Sequence, residues 1–101
     1  MTEPTVESKN GIPIRLPDER WEHIVEQHGE LAGMRQDTLR TVEEPERILA
    51  GNAGELLAVR EIEVDKWLVV VYREWQSDGF VITAFMTRRK RALDRRQQLW
   101  P

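Results

Sequence analysis

His23 and His28 are the only histidines in the chain, and both lie in one stretch, WEHIVEQHGEL, over residues 21–31. Imidazole titrates near neutral pH, so either ring suits proton transfer to or from a reacting oxygen. A shared metal ion would need another pattern. Helical ligand pairs stand i, i+3 or i, i+4 so that both rings face one ion, whereas five residues turn the helix through about 140°. With no cysteine and no third histidine, neither a metal site nor a cofactor is expected. The same helical arithmetic puts His28 on an apolar stripe with Trp21, Ile24 and Val25, and puts His23 nearly opposite, beside Arg20 and Gln27. His28 is therefore expected to face inward, as a general acid or base or as a core-edge histidine favoured by the helix dipole. His23 is expected to face outward. An inward histidine is also compatible with axial haem ligation, which nothing else in the sequence demands.

Cations and a hydroxyl interrupt apolar strands further along. Arg60 falls in LLAVREI on the face of Leu56, Ala58 and Ile62, and Arg73 follows Trp67, Val69 and Val71. Thr83 is the hydroxyl in FVITAF. An arginine on an apolar face either snorkels at an edge or clamps a ligand. A three-residue loop at Ser77-Asp78-Gly79, with Gly79 left-handed, would pair Gln76 with Phe80 and set Arg73 opposite Thr83. A two-residue turn on Asp65-Lys66 would set Val71 opposite Arg60. All three side chains would then share one face, an arrangement that a one-residue slip destroys.

The net charge of −3 argues against indiscriminate nucleic-acid binding, but its distribution is uneven. Residues 88–96, RRKRALDRR, carry a local charge of +5, leaving −8 for the rest. Such asymmetry suits an anionic partner, with Arg88, Arg89, Lys90 and Arg91 as phosphate-binding candidates. A solvated basic helix end would produce the same pattern.

The elements that must position these groups follow from periodicity and punctuation. A chain of 101 residues, 33% charged and with no long apolar run, reads as one soluble domain that does not enter a membrane. No secretory signal is visible, and the lack of cysteine fits a cytoplasmic protein. Residues 1–10 are expected to be a disordered tail, with a single domain over 11–101. Helices are expected over Asp18 to His28 and from Asp37 to about Glu44. Glu46 to Ala50 reads equally as a strand or a helical turn. Strands are expected over 55–63, 66–75 and 80–87, and a basic helix over 88–99. The expected class is α+β: two N-terminal helices packed on a three- to four-stranded antiparallel meander, closed by a C-terminal basic helix.

Taken together, RWEHIVEQH-E, T-EEPERIL, LAVRE, WLVVVYRE and GFVITAFMT resemble the phage-associated nuclease-like domains grouped with barnase, EndoU, colicin ribonucleases and RelE. The resemblance covers about Leu16 to Thr87. It implies a small metal-independent ribonuclease or toxin-like domain, cytoplasmic, acting on RNA and held by a protein partner such as a cognate antitoxin. It also implies catalytic roles for His28, His23, Arg60 and Thr83. Beside the resemblance, Arg73 and the basic segment are expected to bind substrate through its phosphates. RNA cleavage by the 2′-hydroxyl needs a proton acceptor, a proton donor and cations on the phosphorane, which these residue types supply. The alternative is a non-catalytic RNA- or protein-binding module on the same fold.

Overall fold

Lys66 to Trp75, apolar on both sides for most of its length, forms the middle strand of a seven-stranded sheet. The computed structural model describes residues 4–101. In chain order the elements are β1 (Thr5–Glu7), β2 (Pro13–Arg15), α1 (Asp18–Gln27), a 3-10 turn (Gly29–Leu31) and α2 (Arg35–Glu43). Then follow β3 (Arg47–Ala50), β4 (Leu56–Glu63), β5 (Lys66–Trp75), β6 (Asp78–Thr87), α3 (Lys90–Asp94) and β7 (Gln98–Trp100). The strand order is β1-β2-β6-β5-β4-β3-β7. All pairs are antiparallel except β2 with β6, which is parallel.

This corrects the expected three- to four-stranded antiparallel meander. The meander β4-β5-β6 is present, but short strands flank it on both sides and the sheet is mixed. The expected tail is corrected as well: residues 1–3 lie outside the described residues, while Thr5–Glu7 pair with β2. The basic helix shrinks to five residues, because Gln98–Trp100 leave the helical path to pair with β3. Without β7, β3 would present an open row of backbone donors and acceptors, a liability that outweighs a modest helical preference.

The sheet curls strongly. Lys9, in the turn between β1 and β2, brings its Nζ to 5.0 Å from the ring centre of Trp100 in β7, although these strands end the order. Glu74 anchors the same turn, accepting from the Ser8 hydroxyl and, at 2.8 Å, from the Asn10 amide. Gly79 allows the parallel pair to close: an added Cβ would meet Ile14 Cδ1 at 2.5 Å and the Arg73 carbonyl at 2.6 Å.

Alternation along the strands builds two apolar layers. Ala58, Leu68, Val70, Tyr72, Val81 and Ala84 pack under Ile24, Leu31, Leu39 and Val42 of the helical layer. On the other face Leu57, Val59, Trp67 and Val69 pack with Leu49 and with Leu93 of α3. Each fully buried aliphatic side chain contributes about 1.5–3 kcal/mol relative to exposure. The helical face is thus covered along its length, while on the second face Val71, Thr83 and Phe85 stay only partly buried.

Tyr72 stands out in this core. It is the only tyrosine, it is fully buried, and its hydroxyl has no hydrogen-bond partner among the described residues. Burial, and secondarily the Glu74 carboxylate, pushes the hydroxyl well above the ordinary phenol range. The unfolded chain releases this proton near pH 10 while the fold retains it. The resulting stability is intact below that pH and is lost as pH rises above it. Tyr72→Phe is expected to abolish the alkaline loss and to raise stability at neutral pH by about 1 kcal/mol, since it removes an unpartnered buried hydroxyl. Urea unfolding at both pH values, with tyrosinate absorbance as a second probe, checks this. A variant less stable than the parent at neutral pH would contradict it.

Candidate functional site

The helix carrying the histidines runs along the edge of β6. α1 ends at Gln27, and His28 takes the cap position with φ −133° and ψ 72°, its N–H donating to the Ile24 carbonyl at 2.8 Å. The His28 ring is half-buried, 6.4 Å from the Phe85 ring between centres, and its Nδ1 is 3.8 Å from Glu30 Oε1. His23 is exposed. The expected division into an inward and an outward histidine holds in direction, but His28 meets the rim of the sheet rather than its core.

Strand register separates the remaining candidates. The turn between β4 and β5 is Val64-Asp65, with Asp65 at φ 58°, and an irregularity at Glu61–Glu63 sets Arg60 opposite Leu68. The expected pairing of Arg60 with Val71 is therefore off by three positions, and Arg60 lies on the helical face. There its guanidinium donates to Thr41 Oγ1 at 3.2 Å, to the Asp37 carbonyl at 3.2 Å and to Asp37 Oδ1 at 3.4 Å. It fastens α2 to the sheet.

Between β5 and β6 the turn is Gln76-Ser77, with Gln76 at φ 56°, and not the three-residue loop on Gly79. Arg73 consequently faces Phe80, while Thr83 faces Val71. A bulge leaves Ile82 as the extra residue, because Val71 pairs with Thr83 and Tyr72 with Val81. Arg73 and Thr83 do share the second sheet face, which α1 and α2 leave uncovered and α3 covers only around Leu93. Arg73 donates to the Ala53 carbonyl at 3.0 Å. The proposed quartet of His28, Arg60, Arg73 and Thr83 does not assemble, since Arg60 is on the far side of the sheet.

Two surface features gather charge instead. The first is a cleft of about 470 Å³ at the edge of β6, lined by Arg15, Glu19, Arg20, His23 and Phe80 among others. Arg15 pairs with Asp78 at 2.8 Å, and Arg20 reaches the Ile82 carbonyl at the bulge with a long 3.4 Å contact. Of these, sequence reasoning singled out only His23. The i, i+3 spacing of Arg20 and His23 was the available signal. Glu19 shares α1 with them, four residues before His23, whereas Arg15 and Phe80 join only through the parallel pairing of β2 with β6, which no local pattern announces.

The second feature is a hollow of about 480 Å³ around α3, bordered by Arg88, Arg89, Lys90, Arg91 and Arg95. Asp94 neutralises one side of this helix: it accepts from Lys90 at 3.2 Å and pairs with Arg47 at 3.0 Å. Those two hydrogen bonds hold its carboxyl below the usual range. Arg88 reaches the Asp65 carbonyl at 3.5 Å, and Arg96 turns away to the Ala50 carbonyl and Asn52. Leu93 is buried against the second sheet face and fixes the helix in place. The side chains of Arg89, Arg91 and Arg95 have no ion-pair or hydrogen-bond partner among the described residues, and all three are exposed. Four of the five bordering cations belong to the substrate-binding set expected from sequence, and Arg95 completes the group.

No family model, curated protein or solved structure matches this chain. Among the described residues, no three His, Asp or Glu side chains are grouped to hold a metal ion, and no helix is long and apolar enough to cross a membrane.

Proposed function

We propose that this protein is an RNA-binding module whose phosphate-contacting surface is the α3 hollow. The observation that carries the reading is the set of exposed guanidiniums of Arg89, Arg91 and Arg95 around that hollow, unpaired among the described residues. Guanidinium forks match phosphate geometry and bind it through two parallel hydrogen bonds. Because the rest of the chain is acidic, an anionic strand would be drawn to this end and repelled elsewhere, which favours one orientation. The resemblance to nuclease-like domains supports RNA as the polyanion. A cytoplasmic location and a cognate protein partner belong to the same proposal.

The test is fluorescence anisotropy with a labelled single-stranded RNA across a salt series. Binding should weaken steadily as salt rises, since phosphate contacts release counterions. An RNA that fails to bind even at low salt would overturn the reading.

Ribonuclease activity is the second reading. It is favoured by the edge cleft, where His23 and Glu19, both able to exchange protons, stand with Arg15 and Arg20. This version transfers the chemistry from His28 and Arg60 to His23. Incubation of RNA with the pure protein in EDTA is expected to give cleavage that His23→Ala abolishes and His28→Ala largely spares. Uncleaved RNA would leave the binding module as the whole account.

A further inference from the structure

The edge cleft has features that the α3 hollow lacks. Phe80 is 40% exposed on its wall, which leaves part of an aromatic ring open to a flat stacking partner. Arg20 lines the cleft with one contact at the limit of hydrogen-bond length, so most of its five donors remain available. Arg15 stands beside Phe80 through the β2–β6 pairing and has Asp78 as a competing anion. An aromatic wall next to two guanidiniums in a cleft of small-molecule size is complementary to a ring carrying a phosphate.

We infer that this cleft binds a single nucleoside monophosphate unit, with the base stacked on Phe80 and the phosphate held chiefly by Arg20 and secondarily by Arg15. His23, at the same wall, supplies a further hydrogen bond. The unit is either a free nucleotide or the phosphorylated end of an RNA strand. In the second case the inference rests on the RNA-binding reading, and the β6 strand links the two sites. Phe80 and Thr87 are about 23 Å apart along it, at roughly 3.3 Å per residue.

The experiment is titration calorimetry of the full chain with AMP, adenosine and inorganic phosphate, beside anisotropy with one RNA bearing either a 5′-phosphate or a 5′-hydroxyl. AMP should bind more tightly than adenosine or phosphate. Phe80→Ala and Arg20→Gln should each weaken AMP about tenfold or more, from lost stacking and lost charged hydrogen bonds. Asp78→Asn should tighten it by removing one anion that competes for Arg15, an increase that damage to the fold would not produce. Arg40→Ala, on the exposed side of α2, should change nothing. A preference for the 5′-phosphorylated RNA identifies the strand end as the source, and equal RNA affinities identify the free nucleotide. RNA binding with no AMP binding overturns the cleft and leaves the α3 reading standing. AMP binding without RNA binding does the reverse. AMP affinity unaffected by Phe80→Ala and Arg20→Gln, or matched by inorganic phosphate, would also overturn the inference.

Discussion

Replacing Arg89, Arg91 and Arg95 together with alanine is expected to weaken single-stranded RNA binding by about 100-fold at moderate salt. That corresponds to a net loss near 1 kcal/mol for each phosphate contact removed. The slope of log affinity against log salt should shrink by about 2, because each contact with a single strand contributes about 0.7. Stability should hold within about 0.5 kcal/mol, since all three side chains are exposed and unpaired. Lys90→Ala alone should cost much less affinity, because that ammonium is already paired with Asp94. Anisotropy over a salt series, with urea unfolding of the same proteins, separates the two quantities. An unchanged slope in the triple variant would mean that RNA is held elsewhere.

Arg60→Ala is expected to behave in the opposite way, lowering stability by about 1–3 kcal/mol while leaving RNA affinity unchanged. Breaking a buried ion pair by removing one partner costs about 3–5 kcal/mol. Here the figure is discounted, because Arg60 is 20% exposed and Asp37 48% exposed, so solvent screens the pair. Two hydrogen bonds to the first turns of α2 are lost as well. Arg60→Met should recover part of the loss, since the aliphatic stem continues to fill space beneath α2. Equilibrium unfolding measures the cost. A stable Arg60→Ala protein with impaired RNA binding would return Arg60 to the functional site.

The contrast between Arg60 and Arg89 shows what was legible in the sequence. Helix α1 and the three meander strands could be located from period and punctuation, because each signal is local. The basic segment was visible as a run of charge. Strand register was not. Whether Arg60 faces α2 or the opposite sheet face depends on the register set by the turn at Val64-Asp65 and by an irregularity near Glu63, both fixed by tertiary packing. The short strands β1, β2, β3 and β7 have too few residues to show alternation, and each exists by pairing with a distant partner. The edge cleft depends on one of those pairings, so only His23 of its lining drew attention beforehand. Asp94 illustrates the remaining limit: its pairing with Arg47 joins residues far apart in the chain, and it helps decide which cations stay free.

The central claim, that RNA is held by the arginines around α3, is tested most directly by mapping backbone amide shifts of the labelled protein as single-stranded RNA is added. The account predicts saturating shifts concentrated over residues 87–96, lost in the triple arginine variant. Saturable RNA binding that leaves those amides unmoved would contradict it.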